Sequence, residues 1–231
     1  LVRVECQNNK LTSLILGENQ MLEKLNCANN QLTQLNLNNM SALKELNCAN
    51  NQLTVLDVSS SPNLTKLWLG DNHLTSLNLD NNPNLNFSST DIYSGENVYT
   101  VTLNPDRTFD LSTLPGGFDI NRVTEWVNGT VKGNILTVND GTNVVYYGYQ
   151  CITGGMMDAS FTLDVTGTGG TVPPVTPPSG GDNPGGGSTP GGSTPGGSTG
   201  GGDGGGAVVI VAAAGAAAAG VVGYGVYNCG S

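Results

Sequence analysis

Histidine occurs once in 231 residues, which removes most His-dependent catalysis and most zinc chemistry at once. Basic charge is scarce as well. Eight Lys and Arg face 18 Asp and Glu, for a net charge of -10. Phosphate neutralisation needs clustered Lys and Arg, so nucleic acid is excluded as a partner. Charged residues of either sign make up only 11% of the chain, against roughly 25% in an ordinary globular domain. The five cysteines are an odd number, so they cannot all pair within one chain. No Leu-Pro-x-Thr-Gly sorting motif is present. Neither a calcium-loop pattern nor any carboxylate spacing that demands catalysis occurs. Asp106, Asp110, Asp119 and Glu125 could supply a carboxylate pair in principle, but they read as solvated loop residues. No active site, cofactor or metal is expected.

What the first third does contain is a strict period. Leu1, Leu22, Leu43, Leu64 and Leu85 recur every 21 residues. Val4, Leu25, Leu46 and Leu67 form a second column, and Cys6, Cys27, Cys48 and Leu69 a third. Asn9, Asn30, Asn51 and Asn72 form the next, then Leu11, Leu32, Leu53 and Leu74. One such unit cannot bury its apolar face alone, whereas stacked copies line up like side chains into a continuous core. The segment L-x-x-L-x-[CL] supplies a short strand that pairs in parallel with its neighbours, ~4.8 Å away. The asparagine amide sits where the chain turns off that strand and can donate to and accept from backbone groups there. Leu1 is already in register, so the start reads as a fragment or processed end.

Three thiols stacked in one column are spaced for redox or metal chemistry. Interchange with Leu69 favours a small hydrophobe in the core instead, and parallel Cβ vectors suit a disulfide poorly. The residues between the core positions alternate outward. They form the columns Arg3, Lys24, Glu45, Lys66 and Glu5, Asn26, Asn47, Trp68, read as a protein-binding face. Trp68 has two readings that stay open: an interface anchor, since Trp is enriched at hot spots, or a shield at the junction with the next module. His73 reads as a surface polar residue.

The pattern resembles the leucine-rich repeat family. Its 21-residue length, with Cys6, Cys27 and Cys48 at a core strand position, is similar to bacterial surface repeats of the internalin type, including the cysteine-ladder variety. The resemblance covers residues 1–86 and departs from the ladder at Leu69. It implies a curved solenoid with little or no helix that binds proteins, often on a host or neighbouring cell.

Beyond the repeats the chain divides into three further segments. Residues 87–169 carry short β-prone runs between turn signals such as Asn104-Pro105-Asp106, Asn128-Gly129 and Asp140-Gly141, which predicts a small all-β sandwich. Immunoglobulin-like modules often come after such repeats, and this segment loosely resembles that arrangement; its expected task is to cover the last coil and act as a spacer. Residues 170–206 are Pro, Gly, Ser and Thr with almost no apolar side chain, a disordered linker by composition. Ala207 to Tyr227 is an uncharged run of 21 residues, which as a helix would measure ~31 Å, about a bilayer's hydrocarbon core. A transmembrane helix is therefore expected over 207–227. The whole reads as a membrane-anchored bacterial cell-surface protein with extracellular repeats that recognise a protein, as in adhesion. Two alternatives remain: the display and spacer portion of a larger surface enzyme, and a glycan-binding module.

Overall fold

A computed structural model describes residues 1–17, 19–85, 92–153, 158–166, 207–210 and 226–228. The first part is a solenoid. Strands β1 (Arg3–Glu5), β3 (Lys24–Asn26), β4 (Glu45–Asn47) and β5 (Lys66–Trp68) lie side by side in parallel. A shorter β6 (Ile92–Tyr93) extends the row. Register is the same at every step: Val4 opposes Leu25, Leu25 opposes Leu46, and Leu46 opposes Leu67. These four residues are at most 2% exposed, and so are Cys6, Cys27, Cys48 and Leu69 behind them. The expected columns are thus real columns. The second half of the first coil forms β2 (Leu11–Ile15).

Why does the chain turn where it does? Directly before each column asparagine lies a residue in left-handed backbone conformation: Asn8 (φ 59), Asn29 (φ 55), Asn50 (φ 55) and Asp71 (φ 56). Asn and Asp tolerate this region better than other residues that carry a Cβ. The turn leaves carbonyls facing inward, and the column asparagines satisfy them. Asn51 Nδ2 donates to Cys27 O at 3.0 Å, Cys48 O at 3.0 Å and Ala49 O at 3.3 Å, while its Oδ1 accepts from Leu32 N at 3.0 Å. Asn30 and Asn72 repeat the set one coil up and one coil down. Each amide therefore ties its own coil to the one before. Asn97 continues the ladder after a longer spacing, accepting from Leu74 N at 3.2 Å and donating to Ser94 O at 2.7 Å.

A second polar column, at positions 19, 40, 61 and 82, closes the far side. Ser61 Oγ donates to Met40 O at 3.1 Å, and Asn82 Nδ2 donates to Val58 O at 3.0 Å and Ser61 O at 2.8 Å.

The next module is two packed sheets, as expected. One holds β8 (Thr108–Asp110), β10 (Gly129–Lys132) and β11 (Ile135–Val138), all antiparallel. The other holds β7 (Val98–Thr102), β9 (Val123–Val127), β12 (Val144–Gln150) and β13 (Asp158–Thr166), with β7 parallel to β13. The chain passes from β9 to β10, and so between sheets, through Asn128 at φ 70. Gly129 permits the crossing, since a Cβ there would lie 2.7 Å from Leu136 Cδ1. Two three-residue 3-10 helices, Leu111–Thr113 and Ile120–Arg122, are the helical content among the described residues.

Most of the transmembrane helix expected over 207–227 lies outside the described residues; the described ends of that run are strands, β14 (Ala207–Ile210) and β15 (Val226–Asn228). Both pair with the first coil of the solenoid, so their backbone groups bond between chain segments where a helix would bond within itself. Among the described residues no helix is long and apolar enough to cross a membrane. The linker expected at 170–206 lies outside the described residues.

Replacing Asn51 by Ala leaves the buried Leu32 N–H without its acceptor and takes one of two donors from the carbonyls of Cys27, Cys48 and Ala49. The expected loss is about 2–3 kcal/mol, read as a lowered urea midpoint. Gln52→Ala, at an exposed neighbouring position, should shift it by under about 0.5 kcal/mol.

Candidate functional site

The two outward columns stand on the parallel strands of the solenoid. Arg3, Lys24, Glu45 and Lys66 lie opposite one another in consecutive strands, and so do Glu5, Asn26, Asn47 and Trp68, with Tyr93 continuing the second row. Seven of these eight expected residues line one shallow groove of about 210 Å³, with Leu25 as its floor. Lys66 occupies the next place in its column, against Glu45. The structure thus brings the whole set onto one face.

Electrostatics orders that face from one end to the other. Arg3 pairs with Glu5. Lys24 Nζ reaches Glu45 Oε1 at 2.8 Å, and Lys44 pairs with Glu23 at 3.0 Å beside the column. These pairs are partly exposed, so each contributes little to stability, but they hold long side chains in fixed positions. Asn26 and Asn47 are partly committed, since each Oδ1 accepts from the backbone N–H two residues on. Trp68 is half-buried, at the groove's downstream end, next to Lys66. It carries the largest apolar surface on the face.

Below Trp68, other groups join the solenoid to the β module. Tyr147 Oη donates to Thr75 O at 2.7 Å, Thr75 Oγ1 donates to Pro115 O at 2.9 Å, and Leu79 N donates to Cys151 O at 2.9 Å. Asp80 accepts from Thr153 N at 2.6 Å and pairs with Arg122 at 2.5 Å. Phe118, Tyr147, Tyr149, Trp126 and Phe161 form a ring cluster behind them, with centroids 5.0–6.0 Å apart. These contacts join the module to the solenoid, and one hydrophobic core runs through both parts. His73 also belongs here. Its Nδ1 lies 2.8 Å from Val98 O, and since a carbonyl only accepts, Nδ1 carries the proton. His73 is exposed, a surface polar residue as expected, and also bonds to the β module.

The acidic loop residues have local tasks. Asp110 and Asp119 cap the two 3-10 helices, accepting from Ser112 N and Asn121 N. Asp106 accepts from Thr108. Hydrogen bonds from Ser112 and Thr108 hold the Asp110 and Asp106 carboxyls below their usual range. Among the described residues no group of three or more His, Cys, Asp or Glu could hold a metal ion.

Cys27 and Cys48 are free and wholly buried; burial pushes the Cys27 thiol up to about 12 and raises Cys48 too, with Cys27 adding to the latter. Such thiols pack as small hydrophobes and are not nucleophiles. Cys6, in the same column, is disulfide-bonded.

Residues 41–89 match the family model for leucine rich repeats in two copies. Over residues 41–89 the solenoid carries leucine-rich repeats. Among solved structures the chain is similar to the functional domain of InlJ from Listeria monocytogenes, described as including a cysteine ladder. The two share 20% identity with a TM-score of 0.42, over 71% of this chain and 43% of the other. This chain therefore spans less than half of that domain's length. No curated protein matches the chain. The matched residues hold Glu45, Asn47, Lys66 and Trp68 of the strand face, and also the solenoid side of the junction, His73, Thr75, Leu79 and Asp80.

Two outcomes test this anatomy. Iodoacetamide should leave Cys27 and Cys48 unmodified in the native chain and alkylate both in denaturant, as read by peptide mass. Asp80 is held below the usual carboxylate range chiefly by Thr153 N–H and then by Arg122. The stability it adds is present above about pH 4 and is lost as pH falls through its lowered value. The melting-temperature gap between wild type and Asp80→Asn should therefore close in acid.

Proposed function

We propose that the strand face of the leucine-rich repeats recognises a protein partner, with Trp68 as the anchor and Arg3, Glu5, Lys24, Asn26, Glu45, Asn47 and Lys66 as its polar surround. The observation that carries this reading is the continuous groove ending at a half-buried tryptophan. A large rigid ring beside ordered polar groups is the composition of an interface hot spot. Repeat solenoids place such faces on short, rigid strands, so little ordering entropy opposes binding.

In this reading residues 1–86 recognise, 87–169 cover the last coil and act as a spacer, and 170–206 give reach. The setting is a bacterial cell surface, with the repeats outside the cell and a partner on a host or neighbouring cell. The composition of 170–206 and the likeness of the repeats to internalins support that setting. Anchoring through residues 207–227 is left out, because the described ends of that run are strands. A glycan ligand is disfavoured: sugars stack on several aromatic rings, and Trp68 is the aromatic residue lining the groove.

The full chain, used to capture surface proteins of candidate target cells, should lose at least about tenfold in affinity on Trp68→Ala, or ~1.4 kcal/mol. Equal capture by both forms, or hits on a glycan array with none among proteins, would sink the reading.

A further inference from the structure

The upstream side of a solenoid's first coil presents an unpaired strand edge and a core layer facing water. In this chain that layer is closed. Val4, Cys6, Leu11, Leu14 and Leu16 are each at most 6% exposed. The chain's own carboxyl end lies against them. β15 adds to β1 in parallel, with Arg3 opposite Val226, Val4 opposite Tyr227 and Glu5 opposite Asn228. β14 adds to β2 in parallel, with Leu14 opposite Val209 and Ile15 opposite Ile210. Both halves of the first coil thereby gain a neighbour.

The tail's sequence carries the coil's own signature. Tyr224-Gly225-Val226-Tyr227-Asn228-Cys229 repeats L-x-x-L-x-C with tyrosine in both leucine places. The register puts Tyr227 in the column of Val4, Leu25 and Leu46, and Asn228 in the column of Glu5, Asn26 and Asn47. Asn228-Cys229 is also the dipeptide found at Asn26-Cys27 and Asn47-Cys48. Two independent observations, strand pairing and sequence signature, agree on the same alignment.

We propose that β14 and β15 act as a detached coil of the solenoid, pairing within the same chain with both halves of the coil formed by residues 1–17. The connection is long enough. Forty residues separate Thr166 from Ala207, and a flexible coil of that length spans on the order of 35 Å. The row from β1 to β6 is four steps of ~4.8 Å, or ~19 Å. Same-chain closure therefore needs no stretching. The added strands satisfy the backbone edges of β1 and β2.

Hydrogen exchange on the full chain under reducing conditions tests this. Tyr227→Pro removes a ladder N–H and fixes φ, so it should dislodge β15. Amide exchange across residues 1–16 should then rise by roughly tenfold or more, while exchange across residues 43–69 stays unchanged. Tyr227→Phe should exchange like wild type. Unreduced peptide mapping should join Cys6 to Cys229 in a monomeric chain. The proposal is overturned if the first coil exchanges equally in Tyr227→Pro and wild type. A covalent dimer through these cysteines, or flotation of the chain with phosphatidylcholine–phosphatidylglycerol vesicles, would overturn it too.

Discussion

Everything in the solenoid depends on one amide serving two layers. A buried asparagine side chain donates to carbonyls of its own coil and of the coil before, and accepts from a third segment. Leucine could fill the same volume, but it would leave the N–H bonded to the amide oxygen unpaired in an apolar interior, at ~1–3 kcal/mol, and take one of two donors from each carbonyl. The hydrophobic columns supply most of the driving force, yet apolar contact is non-directional and would tolerate a slipped register. The asparagines do not tolerate it. Their acceptors exist only when successive coils are aligned, so they convert a greasy stack into a ladder with one alignment.

That alignment is what makes a surface. Strands of three residues are too short to define a binding face singly, and the face exists because four of them present matching positions side by side. The same ladder explains why Lys24 meets Glu45 and why Trp68 ends the row. At the downstream end the β module replaces a missing neighbour with tyrosine, threonine and arginine contacts. At the upstream end the carboxyl strands do so with backbone pairing.

Much of this was legible in the residue order, for a physical reason. A column keeps its side-chain type when one buried environment recurs, and the leucine, cysteine and asparagine columns each face such an environment. Both outward columns came from simple alternation along a strand. The second polar column escaped notice because Asn19, Met40, Ser61 and Asn82 share a place but not a chemistry; there the backbone carries the repeat. Asn97 escaped because four extra residues precede it. The strands β9 and β10 were hidden on either side of a turn that was seen, since Thr, Glu and Lys interrupt their apolar pattern. The strand ends of the tail were hidden for a different reason. Twenty-one uncharged residues satisfy the length rule for a bilayer, and length says nothing about whether the run bonds within itself or with a neighbouring edge. Tyrosine standing in for leucine concealed its likeness to the coils.

The left-handed residues before each asparagine have a consequence for how such a chain can change over generations. Asn29, Asn50 and Asp71 bend the backbone at one fixed place per coil, and the amides just after them reach back by a constant number of positions. A residue inserted or deleted between a bend and its amide would move that amide off its carbonyls, whereas the longer spacing before Asn97 leaves its amide on the ladder. Growth or shrinkage of the array thereby favours whole coils, because duplicating or losing a complete unit preserves the phase. Variation within a coil is left to the outward positions, where side chains can be exchanged without disturbing the count.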